Sequence, residues 1–287
     1  SFVAIDIILI LSEIIEASHR VQFVPLFDDR QMPFAEVPAN ELTVGSSIVC
    51  AKKLLVMQSS NLKSKFLEGI ASNSFYIYLT PDFTQVIKNE VQARGTAKVF
   101  KEIRSNMALE SFEICARIGR YRSSDFKNLC QLLEIDLEKA YDGIKEISYR
   151  GANPRRSKNS KPMRLPKNFS EFFYLTGMLF GDGTHDKLVV GKPVLGQRFE
   201  NILQEQLGTK PFHRNYANKT PEISAGSTTL LQALNTLFDY PLAKKAHKIH
   251  ATDFLSTAPN ECVSAFISGY FDCDGTVEKS RGAISIS

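Results

Sequence analysis

Two aspartates occupy the same place in a repeated frame. Tyr174-Leu175-Thr176-Gly177-Met178-Leu179-Phe180-Gly181-Asp182-Gly183 is echoed by Phe266-Ile267-Ser268-Gly269-Tyr270-Phe271-Asp272-Cys273-Asp274-Gly275. Each copy follows an acid and an apolar or aromatic lead-in, Glu171-Phe172-Phe173 and Glu261-Cys262-Val263. Each precedes a threonine and a strand-like run, Thr184 to Val190 and Thr276 to Ile286. The pattern predicts a helix in each copy that closes at Asp-Gly, with Gly183 and Gly275 in the left-handed conformation that ends many helices. Gly177 and Gly181, like Gly269 and Cys273, fall four apart on one helix face, where small side chains let two backbones approach. Two such helices packed about a pseudo-twofold axis bring Asp182 and Asp274 to adjoining C-terminal ends. A carboxylate there opposes the helix dipole at a cost of about 0.3–1 kcal/mol, and two repel one another. A divalent cation reverses that sign, and hard oxygen ligands suit Mg²⁺, Ca²⁺ or Mn²⁺. Two carboxylates holding metal beside a scissile phosphate form an arrangement for phosphodiester hydrolysis. A structural Asp-Gly turn would account for one copy; two copies with like flanks favour the site.

Other residues carry less chemistry. His185 and His213 have no partner at metal spacing and read as polar surface. Cys273 reads as a packing residue, with no histidine placed to activate it. From 145 to 167 the bases Lys145, Arg150, Arg155, Arg156, Lys158, Lys161, Arg164 and Lys167 face one acid, Glu146. Gly151-Ala152-Asn153-Pro154 through Lys161-Pro162 reads as a loop or linker. It is either solvated or, beside a nuclease, a phosphate contact made by Arg155, Arg156, Lys158, Lys161 and Arg164.

The elements that must position these residues are of mixed type. Residues 1–57 read as short strands, including Val21, Phe23 and Ser47-Ile48-Val49-Cys50. Residues 60–80 are ambiguous. From about 84 to 142 the pattern is helical: Val86, Val91 and Val99 fall near one face, and Ser123-Ser124-Asp125 would cap a helix carrying Phe126, Leu129, Leu132 and Leu133. The same region could form a helix-turn-helix-like DNA-binding insert. Beyond the basic stretch the chain reads as α+β.

Composition bounds the rest. The chain has 287 residues, 43% hydrophobic and 23% charged, enough apolar material for packed cores and, at about 150 residues per domain, for about two domains. A net charge of +4 means that any nucleic-acid site must come from local clustering. Cys50, Cys115, Cys130, Cys262 and Cys273 lack metal or disulfide spacing and fit a reducing, cytoplasmic setting. The most apolar stretch, Ile7 to Leu11, is flanked by Asp6 and Glu13, far short of the ~20 residues that span a membrane. The opening at Ser1 and the stop within Ala283-Ile284-Ser285-Ile286-Ser287 read as those of an internal fragment.

The repeated frame resembles the paired motifs of LAGLIDADG (dodecapeptide, or DOD) homing endonucleases. The second copy is nearly complete, and the first departs at its sixth position, Phe180. The resemblance implies that Asp182 and Asp274 are the metal-binding catalytic acids. It also implies an Mg²⁺ or Mn²⁺ cofactor, double-stranded DNA as partner, and a monomer with internal pseudo-twofold symmetry. Phe238-Asp239-Tyr240-Pro241-Leu242-Ala243-Lys244-Lys245-Ala246-His247-Lys248-Ile249 looks like the family's Pro-Leu-Gly-Lys-Lys-Ser stretch. This implies an active-site lysine, Lys245 before Lys244, that polarises water or neutralises phosphate charge.

A second resemblance lies at the front. Glu41-Leu42-Thr43-Val44-Gly45-Ser46-Ser47-Ile48-Val49-Cys50-Ala51-Lys52-Lys53-Leu54 looks like a stretch of intein Hint domains, and Ser18-His19-Arg20-Val21 resembles the block that carries their histidine, here His19. Glu16 stands where that block has threonine. Ser160-Lys161-Pro162-Met163-Arg164-Leu165-Pro166 is similar to the entry into the endonuclease of archaeal inteins. Together these imply a partial, all-β Hint domain at 1–80, a helical insert and basic linker at 81–165 with possible DNA contact, and an endonuclease domain at 166–287 whose second repeat is truncated. The function implied is an intein-borne endonuclease making metal-dependent double-strand cuts at a long DNA site, with host extein sequences flanking it. This fragment alone would be weak or inactive in cutting. The alternative is a fold relative, a regulator or maturase, that binds DNA or RNA without cleavage. A free-standing intron-encoded nuclease is a third reading, disfavoured by the Hint-like front.

Overall fold

Thr80 and Pro81 show why one helix begins at residue 81. The Thr80 hydroxyl accepts a hydrogen bond from the Phe83 amide, and Pro81 takes the first helical position, where no amide donor is needed. The computed structural model describes residues 61–150, 160–217, 219–242, 252–278 and 283–286. Its first part runs α1 (Leu62–Ala71), β1 (Phe75–Leu79), α2 (Pro81–Arg94), α3 (Thr96–Glu102), α4 (Leu109–Ile118), β2 (Arg120–Arg122), α5 (Ser123–Leu132), α6 (Leu137–Asp142) and β3 (Ile144–Tyr149). Its strands form one antiparallel sheet in the order β2-β1-β3.

The second part runs α7 (Phe169–Gly181), β4 (Gly183–Thr184), β5 (Lys187–Val189), α8 (Pro193–Glu205), β6 (Phe212–Tyr216), β7 (Lys219–Ser224), α9 (Thr228–Phe238), α10 (Asp253–Ser256), α11 (Asn260–Asp274), β8 (Gly275–Glu278) and β9 (Ala283–Ile286). An antiparallel sheet in the order β4-β5-β7-β6 follows α7, and the β8-β9 pair follows α11. The class is α+β. No helix among the described residues is long and apolar enough to cross a membrane.

A phenylalanine-rich core joins the two parts. The Phe66 ring of α1 meets Tyr141, Phe169, Phe172 and Phe254 edge-on, at centroid distances of 5.8 to 6.4 Å. Phe238 meets Phe172, Phe173, Phe254 and Phe266. Rings packed edge to face add about 0.5–1.5 kcal/mol per pair beyond their buried area. Cys115, Cys130, Cys262 and Cys273 are free thiols.

Several sequence expectations need correction. Val86, Val91 and Val99 do not share a face. Gly95, at φ 87°, breaks the stretch into α2 and α3, so Ile87 and Val91 point inward from one helix and Val99 from the next, while Val86 is exposed. The helix carrying Phe126 and Leu129 does start at Ser123, but no side chain caps it. The Ser123 hydroxyl instead donates to the carbonyls of Ile70 and Asn73, tying α5 to the end of α1. The basic stretch is not all linker: residues 145–149 belong to β3, where Ile144 and Ile147 are buried. Met163 extends that sheet, exchanging backbone hydrogen bonds of 2.8 Å with Ile147. The strand-like runs after each Asp-Gly are antiparallel strand pairs, not single strands. The first turns at His185, whose φ of 58° is left-handed without glycine. The strands and Hint-like stretch read in residues 1–60, His19 among them, lie outside the described residues.

Candidate functional site

Asn168 starts the central helix by accepting the Glu171 amide on its side chain. α7 is apolar on every side and buried from Phe172 to Gly181. Thr176, in that run, satisfies its hydroxyl by donating to the Phe172 carbonyl at 2.8 Å. A helix apolar all round is one that packs on all sides. Its main partner is α11, and the two meet at glycine. A Cβ on Gly177 would lie 2.0 Å from the Phe266 carbonyl oxygen and 2.9 Å from the Tyr270 nitrogen. One on Gly269 would lie 2.1 Å from the Tyr174 oxygen and 3.1 Å from the Met178 nitrogen. Exchanging each residue for its counterpart in the other copy converts one set of contacts into the other. One turn on, a Cβ at Gly181 would lie 2.7 Å from the Cys273 Cβ.

This contact carries Asp182 and Asp274 to the same end of the helix pair. Asp182 caps α7 and Asp274 is the last residue of α11, both half-buried. The Cys273 thiol, next to Asp274 in the chain, meets the Asp182 backbone. Burial pushes it up to about 11, the Asp182 backbone amide opposes that by hydrogen bonding, and the carboxylates of Asp182, Asp274 and Asp272 add to the rise. Negative potential therefore gathers at this end. Gly183 and Gly275 are not left-handed there: Gly275 has φ −81° and ψ 142°, and Gly183 is not among the residues of positive φ. Both are needed for room. A Cβ would lie 2.2 Å from the Leu179 oxygen at Gly183 and 2.3 Å from the Phe271 oxygen at Gly275, because each chain leaves its helix directly as a strand.

Asp272, the acid two positions before Asp274, serves the helix contact. The Tyr174 hydroxyl donates to its carboxylate at 2.5 Å, and burial together with that bond holds the phenol well above its ordinary range. The Arg198 guanidinium stacks over the Tyr174 ring at 3.5 Å and pairs with Glu171 at 3.4 Å. Among the described residues no group of three or more histidines, cysteines and acids comes together for a metal.

The basic residues separate. Lys161 lies over the Phe212 ring at 4.4 Å, at the edge of the β4-β5-β7-β6 sheet. The register puts Lys187 with Ser224 and Phe212 in one row, and Val189 with Glu222 and Arg214 in another. Alternation along the strands gives these rows the face opposite buried Leu188 and Ile223. Arg164 is exposed, its backbone amide on the Leu207 carbonyl and its stem against Gly208. Arg155, Arg156, Lys158, Lys244 and Lys245 lie outside the described residues. Sequence reasoning passed over Asp186. Its carboxylate accepts the Ser227 amide at 3.0 Å and the Ser224 hydroxyl at 3.4 Å, joining the first hairpin to the start of α9. An acid two residues after the first motif's threonine was the available signal.

Comparison with known proteins adds a family and relatives. Residues 261–287 match the LAGLIDADG-like domain. The chain is 35% identical to an elongation factor 2 of Methanopyrus kandleri over 254 residues, 88% of this chain and 20% of that protein. It is 26% identical over 216 residues to a protein named translation initiation factor IF-2 of Thermococcus kodakarensis, covering 69% of this chain and 18% of that protein. The corresponding figures for the IF-2 of Methanocaldococcus jannaschii are 34% over 212 residues, 71% and 16%. The chain spans about a fifth of the length of these curated relatives.

Proposed function

We propose that this chain, with its LAGLIDADG-like C-terminal domain, is part of an intein-borne homing endonuclease. The complete protein cuts double-stranded DNA at a long site by metal-assisted hydrolysis. The observation that carries this reading is the glycine-seated α7–α11 contact with Asp182 and Asp274 at its shared end. Two hard carboxylates at C-terminal helix ends form a donor set that suits Mg²⁺ or Mn²⁺. Asp182 and Asp274 would hold the cation. When bound, the metal supplies Lewis acidity toward the scissile phosphate and a more acidic water. The chain's own part is positioning: the glycine contacts fix the separation of the two acids. Lys245, or Lys244 beside it, would polarise the attacking water or offset developing charge. The outward face of the β4-β5-β7-β6 sheet, with Lys187, Arg214 and Lys161, would lie against the major groove.

The relatives support the intein half of the reading. Similarity covers most of this chain but about a fifth of each of three proteins, which carry two different names. A self-contained element carried inside different hosts gives that pattern, and the Hint-like front fits it. The complete reading frame, flanked by its own host sequence, should splice itself out; failure of any ligated flank to form would count against it. The cleavage reading is tested with the complete protein and Mg²⁺ on a library of candidate sites. Asp182→Asn and Asp274→Asn should each abolish cutting and spare binding. Undiminished cutting by either variant removes these acids from the mechanism. Binding without cutting in both Mg²⁺ and Mn²⁺ moves the reading to the non-cleaving alternative.

A further inference from the structure

Tyr76, in the middle strand of the β2-β1-β3 sheet, holds two arginines that come from either side of it. β1 turns Phe75, Ile77 and Leu79 into the core and leaves Tyr76 and Tyr78 on the outer face. The register sets Arg122 and Ser148 beside Tyr76, and Arg120 and Glu146 beside Tyr78. The Arg120 guanidinium lies 5.5 Å from the Tyr76 ring centroid, and that of Arg150, just past β3, lies 5.6 Å from it. Arg150 also donates to the Tyr76 hydroxyl at 3.0 Å. Tyr78 is tied down by the Ser148 hydroxyl at 3.3 Å.

The charges on this face are not spent on one another. Among the described residues, none of Arg120, Arg122 and Arg150 pairs with a carboxylate within 4 Å, and Glu146 is taken by Lys145 at 3.9 Å. Arg122 does lower the Asp125 carboxyl, though less than burial raises it. The Arg120 Nε is buried without any hydrogen-bond partner. Being buried, that nitrogen is out of an outside ligand's reach, so any anionic acceptor would be met by the guanidinium's other N–H groups. From Arg150 the chain passes directly into the segment bearing Arg155, Arg156 and Lys158, so the positive charge continues along the sequence.

The ring decides which acceptor fits. With guanidiniums against Tyr76, a base has little room to stack there, and the face presents N–H groups instead. Guanidinium planes held by an aromatic ring lose little freedom on binding and match phosphate oxygens in pairs. We infer that the outer face of the β2-β1-β3 sheet, with Arg120, Arg122 and Arg150 seated on and beside Tyr76, grips the phosphate backbone of duplex DNA. This surface lies on elements other than α7 and α11. The inference rests on the DNA-binding half of the proposed function and is independent of cleavage.

The test is fluorescence anisotropy of the full chain with labelled duplexes of unrelated sequence, without divalent cation, over a salt series. Each phosphate contact contributes about 0.9 to the slope of log affinity against log salt. Arg120→Gln with Arg150→Gln should make the slope shallower by about two and weaken every duplex by a similar factor. Tyr76→Leu should follow the same trend although it changes no charge, and Tyr76→Phe, which keeps the ring, should restore most of the binding. A wild-type slope in the double arginine variant, with circular dichroism and melting like wild type, overturns the inference. So does stronger competition by a single strand than by duplex. If the double variant does not fold, Arg122→Gln is read instead, with a slope loss of about one expected and none overturning. Arginine-dependent binding by a protein that never cuts would remove the cleavage reading and keep this face. Cutting by a protein whose slope ignores these arginines would do the reverse.

Discussion

Tyr174 and Asp272 are joined across the α7–α11 crossing, hydroxyl to carboxylate, at the place where their counterparts Phe266 and Phe180 meet ring to ring at 5.3 Å. Phe180, where the second copy has Asp272, therefore differs from it for a local reason. Both members of the pair change together, so that one side of the crossing is polar and matched and the other is aromatic and matched.

This pairing predicts a double-mutant cycle. Tyr174→Phe leaves a half-buried carboxylate without its donor and should cost about 1–3 kcal/mol. Adding Asp272→Phe should recover much of that loss by recreating the ring pair found on the other side. Urea unfolding of the two single variants and the double variant measures the coupling, and simple additivity would disprove it.

The glycines predict an order of severity. At Gly177 and Gly269 a Cβ meets backbone oxygen at 2.0 and 2.1 Å, and backbone cannot rotate away. Gly177→Ala and Gly269→Ala should each cost about 3 kcal/mol by forcing the helices apart. Gly181→Ala meets the Cys273 Cβ at 2.7 Å and should cost about 1 kcal/mol, since alanine's better helix propensity offsets part of the clash. Thermal midpoints in that order support the contact; equal, small shifts at all three would refute it.

A cation between the acids predicts a reversal of sign. In chelator, Asp182→Asn removes a charge that opposes the helix dipole and repels Asp274, so stability should hold or rise by about 0.3–1 kcal/mol. With Mg²⁺ or Mn²⁺ in excess, the wild type should gain thermal stability by mass action and the variant should not. Calorimetric scans with and without the metal give both readings. A metal-induced rise of equal size in the variant would place the cation elsewhere.

Alkaline pH should loosen the fold. Burial raises the Cys130 thiol from an ordinary 9.0 to about 12, and Cys273 goes up to about 11. Above pH 9 the unfolded chain sheds these protons while the folded chain keeps them, so stability falls with rising pH. The contribution is complete below 9 and is lost as pH climbs through about 11 to 12. The buried hydroxyls of Tyr121, Tyr141 and Tyr240 are raised as well and act in the same direction. Urea midpoints taken from pH 8 to 11 should decline less in Cys130→Ala than in wild type. An identical decline would exclude that thiol as a contributor.

What could be read from the sequence depended on how openly each element signals itself. α7 and α11 were legible because small residues four apart and a terminal Asp-Gly coincide in both, with a long apolar run in α7 as well. α5 was legible from Phe126 and Leu129, although its capping serine turned out to serve α1. β3 was hidden because its charged neighbours outweighed Ile144 and Ile147 in any composition count. The first hairpin was hidden because its turn falls at His185, with no glycine to mark it. The outer face of β1 was hidden for a different reason: Phe75-Tyr76-Ile77-Tyr78-Leu79 is apolar or aromatic at every position, so alternation could not show which side faced solvent. The arginines that occupy that side come from β2 and from just past β3, far along the chain.

The burial of α7 on every side has a consequence for how the molecule is made. Its neighbours arrive at very different times during synthesis: Phe66 long before it, Phe238, Phe254 and the whole of α11 long after. Until α11 leaves the ribosome, one flank of an almost wholly apolar helix stays bare, and the glycine seats have nothing to receive. Such dependence on contacts remote along the chain slows folding and prolongs exposure to aggregation. The helix that sets the spacing of the two acids is thus among the last to settle. The spacing of the two acids is therefore set only after α11 has been made and has packed against α7.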